Sequence, residues 1–131
     1  MQLQAPIEIL SRHERNLSKA AAQALKSRYR RWPMGAVIVK SGRLLARACN
    51  EQKNSPSIPG MPANRCSVHA EAAVLRLADG KGATVYVARM GRKGQRALAR
   101  PCSACEELLR SHGVRQVVWT IDDHSYGVTN L

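Results

Sequence analysis

A chain of 131 residues is enough for one domain spanning 1–131 and no more, and its 44% of hydrophobic residues can furnish a core. No apolar run approaches the length of a membrane span, and Met1-Gln2-Leu3-Gln4-Ala5-Pro6 lacks the charged start and apolar stretch of a signal peptide. A membrane partner is therefore not expected, and the cytoplasm is the default compartment. The formal net charge of +12 points either to polyanionic or phosphorylated partners or to nothing beyond a basic surface.

In chain order, Ile7 to Arg28 reads as an amphipathic helix, with Leu17, Ala20, Ala21, Ala24 and Leu25 near helical spacing. Met34 to Val39 is a short apolar, β-branched run expected to be a strand. Lys40-Ser41-Gly42 turns it into a second strand, Arg43 to Asn50. Residues 51–67 carry Pro56, Pro59, Gly60 and Pro62 and read as a loop. Val68 to Ala78 is a helix, Ala83 to Arg89 a third strand, and Gly91 to Arg100 a basic loop. Cys102 to His112 is a further helix stopped by Gly113, and Val114 to Ile121 a fourth strand. The order α-β-β-α-β-α-β specifies an α/β domain.

Strands three and four are joined through a helix and should run parallel with a right-handed crossover. The helices starting near His69 and Cys102 should then meet at one end of the sheet. The same end holds the start of the first strand and the end of the fourth. Arg30, Arg31, Trp32 and Pro33, with Thr120, Asp122 and Asp123, are expected to surround whatever His69, Cys102 and Cys105 bind.

His69-Ala70-Glu71 and Pro101-Cys102-Ser103-Ala104-Cys105 carry the chemistry. One imidazole and two thiols make a three-ligand zinc set, and three protein ligands leave a fourth tetrahedral position for water, the pattern of a catalytic ion. A secretory context that would favour disulfides is not apparent, so metal binding suits these cysteines better. Cys102 and Cys105 sit three apart at a helix start, which favours thiolates, and Pro101 suits that start. Two thiolates nominally cancel the ion's charge and weaken it as a Lewis acid, so a base is needed. Glu71 lies about 200° round the helix from His69 and is placed to move protons rather than to share the metal. A CxxC pair alone would read first as a structural zinc or a redox pair.

From about Met34 to Asp123 the chain resembles the cytidine and deoxycytidylate deaminase superfamily, whose signature pairs H-x-E with P-C-x-x-C. The resemblance rests on the PMGAVIV strand, Asn50, VHAEAAVL, TVYVAR and RPCSACEELLRSHGVRQVVWT. It implies a three-layer α/β/α cytidine-deaminase-like fold with a mixed sheet. It also implies zinc-assisted hydrolysis at an amino-bearing ring carbon, with release of ammonia. Carried over, His69, Cys102 and Cys105 hold one Zn2+ per chain and Glu71 shuttles the proton. Asn50 contacts sugar or base, and the backbone around Ala70 holds the ring carbonyl. A homo-oligomer is expected by resemblance only. A histidine at position 69, where small tetrameric cytidine deaminases generally carry cysteine, places the chain nearer the deoxycytidylate, cytosine and tRNA-adenosine branches. Ser103-Ala104 departs from the methionine usual in the tRNA-adenosine CxxC, and the chain lacks the further metal ligands and the length common among deoxycytidylate enzymes.

Trp32 is a candidate for stacking on a base. Asp122 and Asp123 are candidates for accepting hydrogen bonds from the exocyclic amine, against the plainer reading of a solvated turn. Arg30, Arg31, Arg92 and Lys93 approach the same end and are candidates for phosphate binding. Cys66 reads as a loop cysteine, Cys49 and Trp119 as core, and His13, His112 and His124 carry no functional mark. The leading expectation is a deaminase of a cytosine-type base in a free nucleoside or nucleotide. The alternatives are a deaminase of cytosine in single-stranded DNA or RNA, and a basic nucleic-acid-binding module with a structural zinc. Aromatic residues make up only 4% of the chain, which leaves few stacking platforms for a long strand.

Overall fold

Alternation of side chains along three central strands determines the architecture. In β1 (Met34–Lys40), Ala36 and Ile38 face one side of the sheet while Val37 and Val39 face the other. In β5 (Thr84–Met90), Val85 and Val87 oppose Tyr86 and Ala88, and in β7 (Gln116–Thr120), Val117 and Trp119 oppose Val118. The first face is covered by Ala70, Val74 and Leu75 of α2 (Ala70–Leu75) and Leu109 of α3 (Ser103–Ser111). The second is covered by Leu17, Ala20 and Ala21 of α1 (Ile7–Ala24). The computed structural model, which describes residues 7–28, 31–52 and 67–131, is thus a three-layer α/β/α fold with a mixed sheet. No described helix is long and apolar enough to cross a membrane.

The main sheet has the order β2-β1-β5-β7-β8, with β2 spanning Arg43–Cys49 and β8 spanning Tyr126–Asn130. The β5–β7 pair is parallel and its two strands are connected through α3, as expected; the β1–β2, β1–β5 and β7–β8 pairs are antiparallel. Ser41 (φ 52°) and Gly42 (φ 78°) give the β1–β2 hairpin the two left-handed residues its tight turn demands. A separate two-residue ladder, β3 (Glu51–Gln52) with β4 (Ser67–Val68), leads into His69. Most of the proline-rich loop, with Cys66, and also Arg30 lie outside the described residues.

The sequence-based elements need four corrections. The first helix ends at Ala24 rather than Arg28, because Leu25 is 69% exposed and has no core to join, and residues 25–27 turn away. The second helix is shorter at both ends, since Val68 pairs with Glu51 in the small ladder and Leu77 N bonds back to Val74 O in a tightened last turn. Inside the expected basic loop, β6 (Arg96–Ala97) folds back on the end of β5. Finally, β8 pairs with β7 from Gln116–Asn130 to Thr120–Tyr126.

Gly35 explains how closely α1 lies on the sheet: a Cβ there would overlap Ala20 O and Ala24 N of the helix backbone. Backbone cannot rotate out of the way, so Gly35→Ala is expected to lower the unfolding free energy by about 1–3 kcal/mol. Urea denaturation reads this directly, and an unchanged midpoint would contradict so tight a helix–sheet contact.

Candidate active site

The parallel β5–β7 pair and its crossover bring the start of α3 to the end of the sheet where α2 also begins. His69 (φ −64°, ψ 148°) and Cys102 (φ −69°, ψ 165°) are the extended residues preceding the two helices, and neither uses its side chain as a helix cap. His69 Nδ1 lies 3.1 Å from Cys105 Sγ and 3.8 Å from Cys102 Sγ, and the three atoms all fall within 4.8 Å of one another. Tetrahedral zinc with ordinary Zn–N and Zn–S lengths needs its ligand atoms about 3.5–4 Å apart.

Charge supports the same occupant. Cys105 is buried, Cys102 is exposed, and neither forms a disulfide. Burial first, then the neighbouring Glu71 and Cys102, push the Cys105 thiol far above its usual range. A divalent cation is the group that lets two thiolates persist here, so the donor set fits zinc. When bound, the ion supplies Lewis acidity that polarises a water molecule.

Glu71, one residue into α2, is 1% exposed. Burial pushes its carboxyl up from 4.5 to about 6, partly offset by its own backbone N–H and the Cys105 thiol. Its Oε1 is buried without a hydrogen-bond partner. Ala70, the first residue of α2, is fully buried.

Asn50 is also buried, and its amide is engaged within the chain. Oδ1 accepts from Met34 N (3.0 Å) and Ser27 Oγ (2.5 Å), while Nδ2 donates to Trp32 O (2.6 Å). It thereby fixes the segment that carries Trp32. Trp32 is half-exposed and lies over Arg89, whose guanidinium carbon sits 3.7 Å from the ring centroid. Arg89 follows Val85 and Val87 on the α2/α3 face, and its buried Nε has no hydrogen-bond partner. With Arg31, Arg92, Lys93 and Gln95 these two residues line a cavity of about 520 Å³.

The remaining candidates divide. Arg92 and Lys93 are exposed at the turn before β6. Arg96 is instead tied to α1, 2.6 Å from Glu14 and 3.0 Å from Ser18 Oγ. Asp122 accepts bonds from His124 N and Ser125 Oγ in its own exposed turn, and Asp123 accepts from Arg96 N at 2.8 Å. Both carboxylates are therefore engaged in holding the 121–125 turn and the β6 strand. Thr120 is buried, donating to Ala97 O and accepting from Arg89 N. Among these groups Arg89 owes its position to the phase of β5, two residues beyond Val87 on the core-facing side.

A model of the cytidine and deoxycytidylate deaminase zinc-binding region matches residues 10–121. No curated protein sequence matches the chain. Among solved structures, cytidine deaminase from Burkholderia pseudomallei superposes with a TM-score of 0.65 at 22% identity, covering 90% of this chain and 91% of that one. The dCMP deaminase of cyanophage S-TIM5 gives 0.61 at 23% identity in its apo form, covering 86% and 82%. In complex with dCMP and dUMP it gives 0.60 at 22% identity, covering 87% and 82%.

Two outcomes follow from this geometry. Metal analysis is expected to find one zinc per chain, lost in Cys105→Ser; full zinc content in that variant would remove Cys105 from the ligand set. The raised Glu71 carboxyl carries a sign. Relative to its unfolded value of 4.5, its contribution is most favourable below pH 4.5 and is lost as pH rises through about 6. Glu71→Gln should therefore stabilise the metal-free protein by about 2 kcal/mol at pH 8, with the difference vanishing near pH 4. Equal stability of the two proteins at pH 8 would contradict the desolvated carboxylate.

Proposed function

This chain belongs to the cytidine and deoxycytidylate deaminase zinc-binding family, and we propose that it deaminates a cytosine-type base in a free nucleoside or nucleotide. One observation carries the reading: a buried carboxyl with an unpartnered oxygen stands beside a His-Cys-Cys metal triad. Water adds to the amino-bearing ring carbon, the C–N bond breaks, and ammonia leaves a uracil-type ring. Glu71 accepts one proton of the attacking water and delivers it to the ring nitrogen. It then takes the proton left on the added hydroxyl and delivers it to the departing amine, so that ammonia leaves and the ring keeps its N–H and C=O. A carboxyl near 6 is suited to both acts at neutral pH. A structural zinc site would have no use for such a group.

The phosphorylated form of the substrate is favoured by the cavity beside Trp32. At about 520 Å³ it falls within the range of small-molecule sites. Arg31, Arg89, Arg92 and Lys93 line it, and among the described residues no carboxylate does. The cyanophage relative, solved with dCMP and dUMP, is similar in fold to this chain and supports a nucleotide by analogy.

The half-exposed Trp32 also favours a second reading, cytosine in single-stranded DNA or RNA. Against it, among the other described aromatic residues Trp119 is buried and Tyr86 and Tyr126 lie on the opposite face with His13. A track for successive bases needs several stacking surfaces.

Incubation with cytosine, cytidine, deoxycytidine, their monophosphates and a single-stranded oligonucleotide separates these readings by product mass. Turnover of a monophosphate is expected; turnover of the oligonucleotide alone would overturn the small-molecule reading. Glu71→Ala should lower kcat by about 10²–10⁴-fold with zinc retained, and wild-type activity in that variant would remove the proton shuttle. Arg92→Ala with Lys93→Ala should raise KM for monophosphates about tenfold and leave the unphosphorylated nucleosides nearly unchanged. An equal effect on both would remove the phosphate contact.

A further inference from the structure

The opposite end of the sheet, where β1 finishes and β5 and β7 begin, holds a second cavity that deamination does not use. It measures about 230 Å³ and lies between the first half of α1, the β1–β2 turn and the first residues of β5 and β7. It also belongs to the other face. Val39 and Tyr86, which line it, are part of the α1-side core, whereas the metal triad sits under α2 and α3. Counted along β5 at about 3.3 Å per residue, the two ends of the sheet are about 20 Å apart.

Arg12, Lys40 and Arg115 line this cavity, and among the described residues no aspartate or glutamate does. None of the three side chains takes part in an ion pair or hydrogen bond among the described residues. They differ in this from Arg96 and Arg110, which are bonded to Glu14 and Glu106. Three cations converging on one concavity repel one another, and an anion between them relieves that repulsion. The floor is polar and built: His13 is 9% exposed and Tyr86 is 2% exposed, and His13 Nδ1 and the Tyr86 hydroxyl share a 2.8 Å hydrogen bond. The rim is fixed as well. Lys40 is the last residue of β1, and the left-handed pair Ser41 and Gly42 closes the chain tightly behind it.

We propose that this cavity is a binding site for a small phosphate group, separate from the deaminating centre. Guanidinium forks on Arg12 and Arg115 suit the paired oxygens of a phosphate, and Lys40 adds a point charge. The volume lies below the roughly 300 Å³ at which sites begin to engulf a drug-sized molecule. The cavity therefore takes free phosphate or pyrophosphate, or the phosphate end of a nucleotide whose nucleoside stays outside.

Isothermal titration of the zinc-loaded full chain with inorganic phosphate, pyrophosphate and ADP tests this without reference to deamination. Saturable binding of pyrophosphate at this far site, one per chain, is expected, separate from the phosphate contact at the Arg92/Lys93 end. Arg12→Gln with Arg115→Gln should weaken it about tenfold or more, while Arg92→Ala with Lys93→Ala leaves it unchanged. Both arginines of the far site are exposed, so the variant is expected to melt at the wild-type temperature when no ligand is present. ADP binding as tightly as pyrophosphate would identify the phosphate end of a nucleotide as the ligand, and tenfold weaker binding of ADP would identify free phosphates. Absence of saturable binding, equal binding by the far-end variant, or loss confined to the Arg92/Lys93 variant would each overturn the site.

Discussion

Glu71 and Cys105 are buried side by side, and the arrangement around the metal triad follows from that burial. Both are essentially inaccessible to solvent, and desolvation is the largest influence on the proton affinity of each. The burial is imposed by the core itself: Ala70, Val74, Leu75 and Leu109 press onto Ala36, Ile38, Val85 and Val87. Helix α2 cannot tilt to hydrate Glu71 without opening the largest apolar cluster of the protein. An exposed glutamate, at its ordinary value, would be the weaker base and would hold a transferred proton less well. Core packing, remote from any substrate, thus supplies both the acid–base character of the carboxyl and the demand for a cation beside it.

The same sheet sorts the basic residues that composition could only count. Arg96 and Arg110 are bonded to carboxylates, and Arg89 is stacked on Trp32. Arg92 and Lys93 stand at the turn next to the deaminating end, and Arg12, Lys40 and Arg115 stand at the other. A net charge of +12 is therefore divided among different physical roles. Asp123 stands near the expected place, and its carboxylate accepts from the amide of Arg96 and so anchors β6.

What the sequence disclosed depended on how far apart the interacting residues lie along the chain. The metal triad was legible because His69, Cys102 and Cys105 each sit at a helix start, where short spacing encodes geometry. The three central strands were legible because both faces are buried, giving continuous apolar runs such as Ala36 to Val39. By contrast β6 is two residues long, and β8 reads Tyr-Gly-Val-Thr-Asn with its residues half-buried or exposed, so neither carries a strong period. The role of Asn50 in holding Ser27, Trp32 and Met34 rests on partners 16 to 23 residues away. His13 and Tyr86 meet across 73 residues. Pairings of that kind leave no local pattern, because only the folded sheet creates them.

The direction of the strands finally decides which end of the sheet does which work. Because β5 and β7 are parallel, their carboxyl ends lie together, and the loops leaving them are free to carry ligands and basic side chains. There the chain places Arg89, the β6 excursion and the approach to Cys102. At the amino ends the connections are tight: Gly82 N bonds Gly113 O at 2.8 Å, and Arg115 N bonds Ala83 O at 2.8 Å. Tight connections hold Arg115 and Lys40 close to the sheet and leave a small cavity rather than an open cleft. One end is thus shaped for a substrate that must enter, react and leave, and the other for a compact anion that need only be held. Both properties follow from a single parallel pair within an otherwise antiparallel sheet.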